Sequence, residues 1–387
     1  MLELLLILYG LLIMIGYFSR KKGGTPLLYI FTIIIFSIIL ALYNPDHRMD
    51  LYRYYKMLEN YQVNGIKYAL SQYYFKFAPL YPILFYFISR LGIPKVLIVV
   101  TSVISYGITF YVFLTVCRKY ALSRTAVFFG YLSIILFIDL VAVTGVRQNI
   151  GAVLAMVGCY RLMNKNKFTG YLFILIASLI HHIFWVVLAA ILIISLFKSN
   201  VAVKMICCLI PLFIMGVLSG IIPLGRWCLN LYTKTDYGFF YALGHQIISY
   251  TIRTDENSTT NIIYMISSLM RSLLLSHDSR NSSKEEYRYS LIPLLIMMVG
   301  IGLFKIPTAD IRFFVVANVI SLPLLWKYFN KWAFSQDING ADRHITQSNN
   351  RENGIVAVGI AISLFLQFIY VFYGQYTILG SAFLIKK

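Results

Sequence analysis

The sequence predicts an all-α fold: a polytopic integral membrane bundle of about twelve transmembrane helices, with short or re-entrant helices between them. Of its 387 residues, 59% are hydrophobic and only 13% are charged. The mean hydropathy is +0.74, which is more apolar surface than a water-soluble domain can cover with charge. Apolar stretches also reach the ~20 residues that a helix needs to cross a hydrocarbon core about 30 Å thick.

Transmembrane helices are predicted where apolar residues continue without charge for the width of the membrane. The basic cluster Arg20–Lys22 follows the first apolar stretch, which is typical of a membrane helix rather than a cleaved signal peptide. The clearest spans are Leu27–Tyr43, Val96–Val116, Phe168–Phe197, Met205–Gly225 and Asn353–Ile385. Stretches with a charge only near one edge are Met1–Ser19, Thr125–Thr144, Gln148–Met163, Asn257–Leu275, Leu291–Phe304 and Phe313–Phe329.

Basic clusters set the predicted topology, because positively charged loops stay on the cytoplasmic side. Placing them there leaves two long periplasmic loops, at approximately 44–95 and 226–260, and a polar cytoplasmic loop at approximately 330–353. Within the first loop, Ala78–Leu91 is apolar but short and contains prolines, so we expect a re-entrant or interfacial segment. Residues 1–387 are interpreted as a single transmembrane domain.

The apolar stretch Phe168–Phe197 is too long for one ordinary span. As a single helix it would measure about 45 Å at 1.5 Å per residue. His181 and His182 lie near its middle. Two short helices that turn at these histidines would keep every basic cluster on the cytoplasmic side, so the charge rule favours a hairpin over a single helix.

The formal net charge of +19 would suggest nucleic acid as the partner of a soluble protein. In a multispan membrane protein, part of this excess sets the topology, and the rest is expected to face anionic lipid head groups or an anionic substrate. We therefore expect membrane lipids, and no nucleic acid, among the partners. The five cysteines show no metal-type spacing, and we expect neither a metal site nor a cofactor.

Both predicted periplasmic loops are rich in basic and aromatic residues. The first contains Asp50, Arg53 and Tyr54, and the second contains Arg253. Sugar rings stack on aromatic faces while their hydroxyls bond to polar side chains, so Arg53, Tyr54 and Arg253 are candidate substrate-binding residues. The alternative is an ordinary interfacial belt of aromatic residues with snorkelling lysines and arginines.

Ionisable residues at membrane depth form the main candidate site. Under the predicted topology, Arg147, His181, His182 and Arg312 all reach the outer half of the membrane, where such residues are rare and often functional. A guanidinium suits phosphate because it is planar and always charged, and histidine can act as a general base. The alternatives are snorkelling arginines at helix ends and a buried histidine that serves only the fold.

Short motifs along the chain resemble those of the EpsG/Wzy-type polysaccharide polymerases. Arg147–Ala152 is similar to the Arg-Gln-x-(Leu/Ile)-Ala signature of that family. Ala177–His182 is similar to its Ala-x-x-x-His element, with His181 or His182 as the counterpart, and Asp50–Tyr54 is similar to its Asp-x-x-x-Tyr element. Arg312 resembles the late arginine that opens a C-terminal helix. The order and spacing agree from about residue 44 to 196, with Arg312 added beyond.

The resemblance implies an O-antigen or surface polysaccharide polymerase in the bacterial inner (cytoplasmic) membrane. Such a glycosyltransferase-type enzyme moves a growing glycan from undecaprenyl diphosphate onto an undecaprenyl-diphosphate-linked oligosaccharide at the periplasmic face. A chain-length regulator protein is a candidate partner. Substrate binding would then fall to Arg147, Gln148 and Arg312, and the candidates for the catalytic base are His181, His182, Asp50 and Asp310.

Two other functions fit a basic cavity in a multispan protein. A flippase for lipid-linked oligosaccharide would be expected to show repeat symmetry and polar residues on both faces, and the sequence shows neither. An O-antigen ligase would use the same donor, and its chemistry barely differs from that of a polymerase. The motif order favours the polymerase.

Overall fold

The computed structural model describes residues 2–19, 26–47, 49–72, 78–197, 200–219, 227–231, 233–234, 259–303, 309–338 and 347–383. These residues form helices and their connections, and none of them lies in a β-strand. The principal helices are α1 (Leu2–Ser19), α2 (Pro26–Leu42), α3 (Asp50–Ser71), α4 (Leu80–Ser89), α5 (Val96–Lys119), α6 (Arg124–Phe137), α7 (Leu140–Thr144), α8 (Val146–Met163), α9 (Lys167–Ile180), α10 (Phe184–Leu196), α11 (Asn200–Ser219), α12 (Thr259–Asp278), α13 (Lys284–Gly302), α14 (Ala309–Ile338) and α15 (Gln347–Phe383).

Large apolar side chains cover much of the outside of the bundle, as expected where lipid takes the place of water. Leu27 on α2, Phe213 on α11 and Phe365 on α15 are 74%, 72% and 62% exposed. Within the described part of the chain, three helical segments are long and apolar enough to cross a membrane: Val96–Lys119, Asp310–Trp332 and Gly354–Phe372. Several further apolar helices have 10–17 residues. A helical membrane protein is therefore supported, whereas the number of about twelve spans stays a prediction.

The stretch that was too long for one span is a hairpin, as the charge rule favoured. His181–Ile183 separate α9 from α10, and the two helices pack against each other. Their far ends lie together: Lys165 Nζ is 3.9 Å from Glu285 Oε1, and Arg288 Nη2 donates to the carbonyl oxygen of Phe197 at 3.2 Å. The alternative of one continuous helix is wrong.

Polar contacts join several helices at the end of the bundle opposite the histidine turn. Lys327 pairs with Glu286, Lys331 Nζ lies 2.5 Å from Asp278 Oδ1, and Asn330 Oδ1 accepts from the backbone of Ser123 at 2.8 Å. Together with the hairpin contacts, these polar contacts bring four basic segments to one end of the bundle. We call it the charged end, and its segments are 118–124, 165–167, 280–288 and 327–331. This agrees with the prediction that these segments share one side of the membrane.

The predicted cytoplasmic loop at 330–353 is helical at both of its described ends, and its place in the cytoplasm stays a prediction. α14 continues to Ile338, and α15 already begins at Gln347. Asn330 and Lys331 have polar partners on neighbouring segments, so these polar residues mark where the helix leaves apolar surroundings rather than where it ends. Residues 339–346 lie outside the described part of the chain.

The segment predicted as a long loop at 44–95 is largely helical. α3 and α4 pack against each other, and α4 has ten residues, about 15 Å, which is too short to span. Inside α3 the chain changes direction at Gly65, whose φ of 76° and ψ of −174° lie in a region that essentially only glycine adopts. Of the second predicted loop, 226–260, only 227–231, 233–234 and its last two residues are described.

The predicted span Thr125–Thr144 divides into α6 and α7. Asp139 lies at the division, and its Oδ1 accepts a hydrogen bond from the backbone nitrogen of Ala142 at 2.8 Å. An aspartate in this position caps the first turn of the following helix. The break places the five-residue α7 directly before Arg147.

Glycines let α8 approach its neighbours closely. A Cβ atom at Gly151 would collide with the ring of Phe184, at the start of α10. A Cβ atom at Gly158 would lie 2.8 Å from the carbonyl oxygen of Gly170 on α9. Because Gly151 follows Arg147 by about one helical turn, its contact with Phe184 brings the histidine turn against the arginine-bearing end of α8.

Candidate functional site

A carboxylate from α3 meets a guanidinium from α14 at the end of the bundle opposite the charged end. Arg312 Nη2 lies 3.3 Å from Asp50 Oδ2, and Arg53 Nη1 lies 3.3 Å from Asp50 Oδ1. Asp50 and Arg312 are 262 positions apart in the chain. The side chains of Asp50 and Arg312 are 41% and 26% exposed, so solvent and solutes reach the pair.

Arg147, in the first turn of α8, is held by two tyrosine rings. Its guanidinium carbon lies 5.2 Å from the ring centroid of Tyr54 and 4.5 Å from that of Tyr81. Its Nε also donates a hydrogen bond to the Tyr54 hydroxyl at 3.1 Å. Such cation–π contacts orient the planar group. α3 and α4, which carry the two tyrosines, therefore set the direction of Arg147.

Gln148 connects the two arginines of the site. Its Nε2 donates to the backbone carbonyl oxygen of Arg312 at 2.9 Å. Because Arg312 also binds Asp50, this bond joins α8 to α14 and, through α14, to α3. The amide nitrogen of Gln148 is thus engaged with the protein backbone, which suits a positioning role for this predicted substrate-binding residue.

The two histidines form the turn between α9 and α10. Their rings are stacked with centroids 4.5 Å apart. The charges of Arg147 and Arg312 act on both imidazoles, which places both guanidiniums near this turn. The four ionisable residues predicted to converge therefore do converge, together with Asp50.

The two histidines differ in their surroundings. His181 is only 3% exposed, and its Nδ1 accepts a hydrogen bond from the backbone nitrogen of Ile183 at 3.2 Å. This bond closes the turn and leaves the proton of a neutral ring on Nε2. His182 is partly exposed. His181 thus serves the turn, and His182 is the better placed of the two to accept a proton.

Two predicted site residues are not among the converging group that the structure describes. Asp310 is fully buried, its Oδ1 accepts from the backbone nitrogen of Ile311 at 2.8 Å, and it acts electrostatically on Tyr370 of α15. Two residues along a helix rotate a side chain by about 200°, which explains why Asp310 and Arg312 face different neighbours. Arg253 lies outside the described residues.

Sequence reasoning missed a second buried arginine. Arg271 on α12 is 0% exposed. Its Nη1 donates to Ser363 Oγ at 3.0 Å, its Nη2 binds the Asn318 side chain, and its guanidinium lies 4.2 Å from the Phe137 ring centroid. No ion pair joins it to any residue in the described ranges. The signal in the sequence was a charge inside the apolar stretch 257–275. Membrane helices rarely carry a charge that has no structural or functional role.

The converging residues offer two kinds of chemistry on one surface. The two guanidiniums can bind an anion with paired, charge-assisted hydrogen bonds. His182 and Asp50 can accept a proton from a hydroxyl placed between them and the arginines. Among the described residues, no group of three or more His, Cys, Asp or Glu side chains is arranged to hold a metal ion.

Comparison with known proteins gives one match. The model of the EpsG family matches residues 26–340, a range that contains every converging residue described above. No curated protein matches this chain, and no solved structure matches it.

Proposed function

Because the chain belongs to the EpsG family, we propose that it is a surface-polysaccharide polymerase, of the O-antigen type, in the bacterial inner membrane. Family membership suggests a polysaccharide polymerase-like, glycosyltransferase-like role. The proposal is more specific: the protein transfers a growing glycan from undecaprenyl diphosphate onto an undecaprenyl-diphosphate-linked repeat unit at the periplasmic face.

The observation that carries the proposal is the meeting of Arg147, Arg312, Asp50 and the histidine turn at one end of the bundle. These residues come from α3, α8, α14 and the α9–α10 connection, so no local pattern brings them together. Ionisable groups are costly at membrane depth and usually serve a substrate there. A polyprenyl diphosphate is such a substrate, because it combines a strong anion with a chain that stays in the membrane.

Arg147 and Arg312 are proposed to bind the donor diphosphate. In the reaction the bond between the anomeric carbon and the diphosphate oxygen breaks, and negative charge develops on that oxygen. Positioned guanidiniums stabilise this charge more in the transition state than in the ground state, which lowers the barrier. The tyrosine rings around Arg147 and the Asp50 carboxylate beside Arg312 fix both groups in advance.

His182 is proposed as the base for the acceptor. The acceptor hydroxyl oxygen forms the new bond to the anomeric carbon, and its proton moves to the imidazole of His182. His181 is the weaker candidate because its Nδ1 already holds the turn. Asp50 is the alternative base, since its exposed carboxylate lies beside Arg312. Asp310 is less well supported because its side chain is fully buried.

The experiment is a gel of surface lipopolysaccharide from cells that lack the gene, with the wild-type gene restored as control. The proposal expects one repeat unit on lipid A–core and no ladder. Loss of all repeats with lipid-linked polymer in the inner membrane would indicate a ligase instead. Single lipid-linked units trapped on the cytoplasmic face would indicate a flippase. An unchanged ladder would reject all three functions.

A further inference from the structure

A second concave site lies beside the converging residues, on α3. Its volume is about 290 Å³, at the lower end of the range for ligand pockets. It forms because α3 turns at Gly65, so that Tyr68 and Gln72 after the turn line the same cavity as Arg53 and Asn60 before it. We call this cavity the α3 pocket.

The α3 pocket combines aromatic faces with neutral hydrogen-bonding groups. Tyr61 and Tyr68 meet edge to face with centroids 6.1 Å apart, and Tyr68 is 37% exposed. The amide side chains of Asn60 and Gln72 also line it. Aromatic rings that offer a flat apolar face beside amides and hydroxyls suit a pyranose, which has C–H faces and a ring of hydroxyls.

One polar group in the lining is buried and unused. Tyr61 is 1% exposed, and its hydroxyl has no hydrogen-bond partner among the described residues. Burial raises the pKa of Tyr61 to about 12, so the phenol keeps its proton at neutral pH. A buried donor without a partner is costly, and a ligand hydroxyl or carbonyl in the pocket would satisfy it.

Each basic side chain in the lining has a carboxylate beside it. His47 Nδ1 is 3.1 Å from Asp46, and Lys56 Nζ is 2.8 Å from Glu59. Arg53 binds Asp50 at 3.3 Å. The hydrogen bond to Glu59 and its charge raise the pKa of Lys56. The pocket therefore presents little net positive charge, which favours an uncharged ligand over an acidic one.

The α3 pocket is linked to the converging residues on two sides. Arg53 lines the pocket and binds the same carboxylate as Arg312. Tyr61 forms part of the lining, and the charge of Arg147 acts on its phenol. A molecule in the pocket thus lies next to Arg53, which shares the Asp50 carboxylate with Arg312.

We infer that the α3 pocket binds a neutral or N-acetylated sugar of the lipid-linked glycan, adjacent to the diphosphate held by Arg147 and Arg312. The inference rests on the proposed function for the identity of that glycan. The volume of the α3 pocket admits a short part of the glycan rather than a whole repeat unit. Tyr68 supplies the stacking face, and Tyr61 donates from the buried floor to a hydroxyl or acetamido oxygen of the sugar.

The test is saturation-transfer NMR on the full-length protein in detergent, with N-acetylglucosamine, glucose and glucuronic acid as separate probes. We expect signals from the two neutral sugars and a weaker signal from glucuronic acid. Tyr61→Phe and Tyr68→Ala are expected to lower the neutral-sugar signals about threefold or more. The matched control is Tyr55→Phe: Tyr55 is also a buried α3 tyrosine without a hydroxyl partner, but it does not line the pocket.

Equal signals from wild type, Tyr61→Phe and Tyr68→Ala would overturn the inference, as would no neutral-sugar signal or a preference for glucuronic acid. Polymer length in cells separates this failure from failure of the proposed function. A normal ladder in the deletion strain together with pocket-dependent sugar binding would reject the polymerase and keep the sugar site. A missing ladder in the deletion strain, with normal ladders from Tyr61→Phe and Tyr68→Ala, would reject the pocket and keep the polymerase.

Discussion

Asp50 binds Arg312 across the fold, with Oδ2 of the carboxylate 3.3 Å from Nη2 of the guanidinium. The other oxygen of Asp50 binds Arg53. One carboxylate thus sets the position of an arginine on α14 and of another on its own helix. Because both partners are partly exposed, the pair should matter more for the placement of Arg312 than for stability.

Asp50→Asn keeps the shape of the side chain and removes its charge. We expect the free energy of unfolding to change by less than about 1 kcal/mol, because exposed ion pairs contribute little. Polymer yield should fall about 100-fold, as when a group that places transition-state charge is removed. Ladder intensity and thermal unfolding in detergent measure the two effects. Glu285→Gln removes the exposed pair with Lys165 at the charged end and is the control; equal ladders from both variants would contradict the prediction.

Arg147→Lys should fail to restore the ladder, although it keeps the positive charge. The ammonium lacks the planar group that lies on the rings of Tyr54 and Tyr81, and it cannot make paired bonds to phosphate. Tyr54→Phe removes only the hydroxyl that accepts from the Arg147 guanidinium. It should lower yield about tenfold, which corresponds to one hydrogen bond to a charged group. Tyr111→Phe, at an exposed tyrosine on α5, should leave the ladder unchanged. Full activity of Arg147→Lys would show that charge alone suffices.

The two histidines should respond differently to asparagine. In His181→Asn the amide oxygen can replace Nδ1 as acceptor for the backbone nitrogen of Ile183, so we expect a folded protein with most of its activity. In His182→Asn no base remains at that position, and the ladder should be lost. Protein yield and ladder intensity are measured for both, with His181→Ala as the variant that breaks the turn. A normal ladder from His182→Asn would transfer the role of base to Asp50.

Gly151→Ala should disturb the site without touching any ionisable residue. The added methyl group meets the ring of Phe184, and relief of such a clash typically costs about 1–3 kcal/mol. It should also move the histidine turn away from Arg147 and weaken the ladder. Gly107→Ala is the matched control, since nothing lies within 4 Å of its new methyl group. Restoration of the ladder by Phe184→Leu in the Gly151→Ala background would confirm the cause.

Arg271→Ala should destabilise the bundle by about 2–4 kcal/mol, because it leaves a cavity and removes one hydrogen-bond partner from each of Asn318 and Ser363. The measurement is thermal unfolding in detergent. Arg280→Ala, at an exposed position after α12, should change stability by less than about 0.5 kcal/mol. Equal unfolding temperatures for the two variants would contradict a structural role for Arg271.

The length of the apolar stretches and the charge rule were sufficient to predict most of the apolar helices, the hairpin at His181 and the gathering of Arg147, Arg312 and the histidines. These features follow from two constraints that can be read from the sequence. Charge is costly in lipid, and a spanning helix must match the width of the bilayer. The pairing of Asp50 with Arg312 could not be predicted, because it depends on how α3 lies over the bundle. Apolarity alone does not specify that orientation.

Three expectations needed correction or addition for local reasons. Asn330 and Lys331 belong to a helix, and neighbouring segments supply their polar partners. Asp139 divides a predicted span because its side chain caps the next helix. Arg271 went unnoticed because one charge in a window of apolar residues barely changes the average hydropathy, although burial of that charge is costly.

The hairpin of α9 and α10 has a consequence for the lipid around it. With 14 and 13 residues, these helices measure about 20 Å each, roughly 10 Å less than the hydrocarbon thickness. A bilayer meets such a mismatch by thinning beside the short helices. Lipid head groups would then lie at the depth of His182. A lipid-linked diphosphate could reach Arg147 and Arg312 by lateral diffusion in its own leaflet, because its diphosphate would stay at head-group level throughout.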